Sequence, residues 1–291
     1  MNQAYDDNSK QFLEAIKKAM SSMTHSQKKV ADYIFKNPMQ AAFSTVDEIA
    51  RTAKVSTTTV VRLALTLNYS GFVDLQKELQ AYLNTISRPS VRLEMNLINV
   101  EKRNNIIADI AQQQMENISK TYANLSDESI MRAVEKLTSA RHIYIFGQRS
   151  CYGVCHYMAY NINRTLANCD FIYNNSSDYI ESLRRIDSRD VVITMSMPRY
   201  VKNVFRFTEL AHKRGAFIIS ISDGYSSPLV PLSDIFFSAE VASKGFHNAM
   251  TSTLFIAEVL IGFLVTKNWK RAKENLTDTE GISKAMEQNL F

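Results

Sequence analysis

The chain has 291 residues, 45% hydrophobic and 22% charged, with 34 Lys plus Arg against 29 Asp plus Glu for a net charge of +5. This length suits about two domains, and the composition excludes a disordered, collagen-like or coiled-coil chain. The mild basic excess permits a polyanionic partner without requiring one.

Eight glycines and five prolines leave few sites for tight hairpins and favour helices. The three cysteines, Cys151, Cys155 and Cys169, are an odd number in a chain too large to need staples, which points to a reducing compartment and a cytoplasmic protein. Cys151 and Cys155 lie one helical turn apart with no His or third Cys at metal spacing, so they read as core residues, and neither metal nor cofactor is expected.

The start of the chain, residues 1–18, is polar and carries Asp6 and Asp7, unlike a secretory signal. Residues 24–83 show short helical patterns and no strand. Thr45-Val46-Asp47-Glu48 has the form of a capping box. A helix begins there, carries Ile49 and Ala50 inward and runs to about Ala53, and Lys54-Val55-Ser56 leads to a second start with Ser56 as N-cap.

On that second helix Val60, Leu63, Ala64 and Leu67 share one side, leaving Thr58, Thr59, Arg62 and Thr66 opposite, with no acid among them. Arginine pairs with guanine through two hydrogen bonds, and threonine reaches phosphate oxygens or the thymine methyl. Ser56, Thr57, Thr58, Thr59, Arg62 and Thr66 are therefore candidate contacts to double-stranded DNA. The same spacing also suits an ordinary helix pair in a bundle.

Ser87-Arg88-Pro89-Ser90 breaks the helical pattern. The expected organisation is an all-α domain over 1–85, a helical linker over 86–126, an α/β domain over 127–268 and a tail over 269–291. In the linker Leu93, Leu97, Ile106, Ile107, Ile110, Met115 and Ile118 recur at the spacing of amphipathic helices. Strand-length apolar runs follow at 142–146, 171–173, 191–195, 217–221 and 235–237. Helical patterns, notably 151–163 and 201–214, separate most of them, which implies a parallel sheet covered on both faces. The apolar stretch 254–265 contains Glu258 and is too short for a membrane span of about 20 residues. It reads as part of a core helix, 248–267.

Val55-Ser56-Thr57-Thr58-Thr59-Val60-Val61-Arg62, followed by Asn68-Tyr69-Ser70-Gly71-Phe72-Val73-Asp74-Leu75, resembles the DNA-binding domain of the RpiR/MurR family of bacterial transcriptional regulators. The likeness extends upstream through residues 24–38. Lys54 and Asn68 stand where the family usually has Gly; both sites are expected to need left-handed backbone, which Asn tolerates well and which costs Lys about 1 kcal/mol.

In the second half, Gly147-Gln148-Arg149-Ser150 joins the first strand to a helix, an arrangement that favours an anion. Ser196, followed by Met197-Pro198-Arg199-Tyr200, ends the third strand, and Asp223 ends the fourth. Ligands of open α/β sheets bind along that edge. The half from Asp127 to Thr266 resembles the sugar isomerase (SIS) domain that such regulators carry, which implies a three-layer sandwich with a five-stranded parallel sheet.

Gly147 and Ser150 match the first loop of that module and Ser196 the leading serine of its second. Beyond Ser196 the small residues and free amides usual in phosphosugar binders give way to Pro198, which has no donor, and Arg199, whose guanidinium can bind a phosphate or carboxylate with two hydrogen bonds. Candidate ligand contacts are Gly147, Arg149, Ser150, Ser196, Arg199, Tyr200, Asp223, Lys244 and His247. The last two precede the final helix, and a solvated loop suits them equally.

The expected protein is a regulator that binds operator DNA as a homodimer or homotetramer, responds to a sugar phosphate or sugar acid, and has no membrane partner. The alternative is a phosphosugar isomerase using Glu181, Glu240 or His247 as general base, with an accessory N-terminal domain. A third reading is an oligomeric scaffold.

Overall fold

The computed structural model describes residue 12 and residues 15–86, 88–97, 105–173 and 176–286. The chain divides into two compact units, Met1–Lys102 and Arg103–Phe291. Ser87 and the termini 1–11 and 287–291, on which parts of the expected seam, start and tail fall, lie outside the described residues.

The first unit holds six labelled helices: α1 (His25–Lys36), α2 (Pro38–Phe43), α3 (Val46–Ala53), α4 (Thr57–Thr66), α5 (Phe72–Ile86) and α6 (Pro89–Leu97). Capping boxes start α1 at Thr24 with Gln27 and α3 at Thr45 with Glu48. The Thr45 backbone and side chain also hold the Glu48 carboxyl below its ordinary value. Val30 and Ile34 of α1, Ile49 of α3, Val60, Leu63 and Ala64 of α4, and Leu75 and Leu79 of α5 form one core. Side-chain amides tie the elements together: Gln76 Nε2 donates to the Ser44 carbonyl at 2.8 Å and Gln80 Nε2 to that of Ala42 at 2.7 Å.

The second unit contains α7 (Ile106–Ala123), α8 (Asp127–Ser139), β1 (Ile143–Gly147), α9 (Cys151–Leu166), β2 (Cys169–Phe171), α10 (Ser176–Arg185), β3 (Val191–Met195), α11 (Lys202–Lys213), β4 (Phe217–Ser222), β5 (Ile235–Ser238), α12 (Thr251–Lys267) and α13 (Trp269–Ala285). All strand pairs are parallel, in the order β2-β1-β3-β4-β5. Side-chain alternation sends Ile143, Ile145, Val191, Ile193, Ile219 and Ile221 to one face, against α8, α9 and α12. Tyr144, Phe146, Val192 and Ile218 go to the other, against Val204, Phe207 and Ala211 of α11. The expected three-layer α/β sandwich is present.

Several boundaries differ from the sequence reading by one to three residues, and three differences have a visible physical cause. Strand β2 spans Cys169–Phe171 and not 171–173, because Ala167 closes α9 in left-handed backbone (φ 54°) and Asn163 Oδ1 then accepts the Cys169 amide at 3.2 Å. Helix α7 belongs to the second unit and is no free linker. Asn117 Nδ2 donates to the Ala242 carbonyl at 2.8 Å and Thr121 Oγ1 accepts the Glu240 amide at 2.9 Å, whereas Ile106, Ile107, Ile110 and Met115 face outward. The tail is helix α13, docked on α9 through Ala272, which is buried, and through Asn275 Nδ2 donating to the Thr165 carbonyl at 3.0 Å.

Candidate functional site

Helix α3, the turn 54–56 and helix α4 form a helix-turn-helix. Lys54 adopts φ 54°, with its amide and that of Val55 returning to the end of α3. Asn68 adopts φ 65° after α4. Both left-handed sites fall where the sequence required them. Ser56 caps α4, its Oγ accepting the Thr59 amide at 3.2 Å and lying 2.9 Å from Thr59 Oγ1.

The six candidate DNA contacts separate into two sets. Ser56, Thr57, Thr58 and Arg62 are exposed. Thr59 is partly covered and joined to Ser56, and Thr66 Oγ1 both accepts Gln27 Nε2 at 2.8 Å and donates to the Arg62 carbonyl at 2.9 Å. Thr66 therefore joins α4 to α1 through its hydroxyl. A helix advances about 100° per residue, which brings Val61 and Leu65 onto the outward stripe with Thr57, Thr58 and Arg62. These two apolar side chains carry neither the hydroxyl nor the charge by which a groove face is read from sequence.

In the second unit the strand order reverses between β1 and β3, so the loops after these strands flank a crevice at the carboxyl edge of the sheet. Gly147 ends β1, where a Cβ would meet Cys155 Sγ at 2.5 Å, Cys151 Cβ at 3.1 Å and the Met195 carbonyl at 3.2 Å. Glycine here lets the start of α9 close onto the sheet. Arg149 (φ 56°) and Arg199 (φ 71°) are both left-handed and exposed, and Arg149 Nη1 donates to the Arg199 carbonyl at 3.2 Å across the crevice. Ser150 precedes α9, is exposed and makes no capping bond.

Behind the arginines, Ser196 is buried and its Oγ accepts the Val201 amide at 3.1 Å, closing the 196–201 loop onto the start of α11. Tyr200 OH donates to Asp223 Oδ1 at 3.0 Å, and the Ser222 hydroxyl lies 3.1 Å from the same oxygen while donating to the Ser196 carbonyl. Burial raises the Asp223 carboxyl above its ordinary 3.8, against the hydrogen bonds that favour its charged form. Burial and this neighbouring carboxylate also raise Tyr200.

The structure thus gathers Gly147, Arg149, Ser150, Ser196, Arg199, Tyr200 and Asp223 at one sheet edge. Lys244 and His247 are exposed in the loop before α12, where Ser243 Oγ lies 3.4 Å from His247 Nε2.

Of the residues weighed as isomerase bases, Glu181 is held by Arg184 Nε at 3.0 Å on the surface of α10, and Glu240 sits beside α7. All three cysteines are buried thiols, and burial pushes Cys151 up to about 12. No group of three or more His, Cys, Asp or Glu suited to a metal occurs among the described residues. No single described helix is long and apolar enough to cross a membrane.

Comparison with known proteins agrees with this anatomy. Residues 10–85 match the helix-turn-helix domain of the rpiR family, and residues 136–263 match the SIS domain. The HTH-type transcriptional regulator HexR of Escherichia coli is 25% identical over 282 residues, covering 92% of this chain and 95% of HexR. The E. coli regulator RpiR is 23% identical over 212 residues, 73% of this chain and 70% of that protein. Among solved structures, the Vibrio vulnificus NanR protein complexed with ManNAc-6P shares the fold with a TM-score of 0.64 at 22% identity, covering 94% of this chain and 98% of NanR. The chain belongs to the RpiR family of HTH-type transcriptional regulators, with a SIS domain behind the DNA-binding domain.

Proposed function

We propose that this regulator binds operator DNA through α4 and that a sugar phosphate, held between the β1 and β3 loops, sets its affinity for DNA. The observation that carries the ligand site is the arginine pair at the sheet's switch point. Two non-glycine residues in left-handed backbone, each costing about 1 kcal/mol, stand in the adjacent loops after β1 and β3, and the Arg149 guanidinium reaches the Arg199 carbonyl. Guanidinium groups hold phosphate or carboxylate by paired hydrogen bonds, and they replace the amide cradle that Pro198 and the engaged Ser196 hydroxyl no longer offer.

Arg149, Ser150 and Arg199 take the anion. Gly147 lets α9 approach, Tyr200 and Asp223 face the remainder of the ligand, and Lys244 and His247 close over it. NanR, a structural relative seen with ManNAc-6P, supports a phosphorylated sugar over a sugar acid. On the DNA side Thr57, Thr58 and Arg62 make the contacts, while Ser56 and Thr59 shape the start of the helix. The protein acts in the cytoplasm as a non-enzymatic homodimer. Support for the dimer comes from α12, which buries Ile256, Leu260 and Leu264 yet also exposes Leu254, Phe263 and Val265.

The test is a thermal-shift screen of sugar phosphates and sugar acids, followed by DNA titration with and without the hit, since a ligand bound only by the folded state raises its melting temperature. The expected result is a sugar phosphate that changes DNA affinity in the wild type and not in Arg149→Ala or Arg199→Ala. An unchanged effect in both variants overturns the site, and turnover of the sugar phosphate would restore the isomerase.

A further inference from the structure

The outward stripe of α4 is apolar at its middle. Val61 is 36% exposed and Leu65 53%, one turn apart, with Thr57 and Thr58 before them and Arg62 alongside. The helix carries no acid, and Arg51 and Lys54 are exposed near its start. A positive rim around an apolar stripe suits a polyanion that offers apolar contact points. In the major groove of a duplex the group that answers to this is the thymine 5-methyl, with the guanine edge as the partner of Arg62.

We propose that Val61 and Leu65 pack against thymine methyls beside the guanine read by Arg62. The preferred half-site then contains a guanine with neighbouring thymines, and apolar contact sets sequence preference as much as hydrogen bonding does. This rests on the reading of α4 as the groove helix. It assigns base contacts to two side chains that lack polar atoms, whereas the Thr59 and Thr66 hydroxyls already have partners within the fold.

The experiment selects duplexes from a random-sequence library with the full-length wild-type protein, then remakes the enriched duplexes with uracil for thymine, which removes the methyl and keeps every hydrogen-bonding group. The expected loss is roughly fourfold per contacted methyl, the equivalent of about 0.8 kcal/mol for one apolar carbon. Val61→Ala and Leu65→Ala, both at exposed positions, should each lose part of the discrimination between thymine and uracil forms. Equal binding of the two forms by the wild type overturns the methyl contact, and this measurement needs no variant. A uracil penalty that survives in both variants overturns the assignment to Val61 and Leu65. Failure to enrich any sequence overturns the groove-helix reading itself.

Discussion

Left-handed backbone at non-glycine residues occurs in both units, at Lys54 and Asn68 in the first and at Ala167, Arg149 and Arg199 in the second. Lys54, Asn68 and Ala167 follow helix ends. There the conformation lets amides return to the last turn: Val55 to the Ala50 carbonyl at 2.9 Å, Tyr69 to that of Ala64 at 2.9 Å and Ala167 to that of Asn163 at 2.7 Å. The strain is offset locally by hydrogen bonds that a helix end otherwise lacks. Arg149 and Arg199 lie instead between a strand and a following helix, beside the crevice at the switch point. Strain of that kind persists where surrounding structure imposes it, and it clusters at ligand clamps. The same dihedral therefore serves chain termination in one place and presentation of a charge in the other.

Replacing the residue by glycine removes the strain in either place, so the two uses should respond differently. Arg199→Gly is expected to weaken sugar phosphate binding by about 1.5 to 3 kcal/mol, the usual worth of a hydrogen bond to a charged group, while thermal melts show a gain. Calorimetric titration checks this, and intact binding would put Arg199 with the helix ends. Gly147→Ala tests whether the crevice floor is as tight as its distances imply. Its Cβ would lie 2.5 Å from Cys155 Sγ, and urea unfolding should report a loss of about 1 to 3 kcal/mol. Lys54→Gly should stabilise the first unit by about 1 kcal/mol, seen as a raised melting midpoint; no gain would mean that the turn is less strained than its φ implies.

The smallest expected effect is a pH slope. The folded Asp223 carboxyl binds its proton at a higher pH than the unfolded chain does, because burial disfavours its charge. In the window above 3.8 the native state then holds more protons, so this residue's contribution to stability falls as pH rises through it. Asp223→Asn should flatten that decline in unfolding curves measured across the acid range, and an unaltered slope would assign it to other groups.

Local chemistry made much of this legible. Thr45 with Glu48, Ser56 before three threonines, and Lys54 and Asn68 beside them specify two helices and a turn through bonds spanning a few residues. The alternation of strand-length apolar runs with helical patterns likewise implied the parallel sandwich, because only burial on both faces suits such strands. Helix α10 and the docking of α13 leave little trace in the sequence, because the first is mostly polar and the second is held through a small residue, Ala272, and a side-chain amide.

What tertiary structure alone decided was which polar atoms are already spent. Gln27, 39 positions away from Thr66, takes up a hydroxyl that helical spacing had assigned to the groove, while Val61 and Leu65 stand exposed on the outward stripe. In the same way strand order, which no single strand encodes, sets the β1 and β3 loops side by side, so that Arg149 meets the carbonyl of Arg199 across 50 residues. The kinds of element and their caps depend on neighbours along the chain, and so are written in local pattern. The assembly of the site depended on packing between distant segments, which local pattern does not contain.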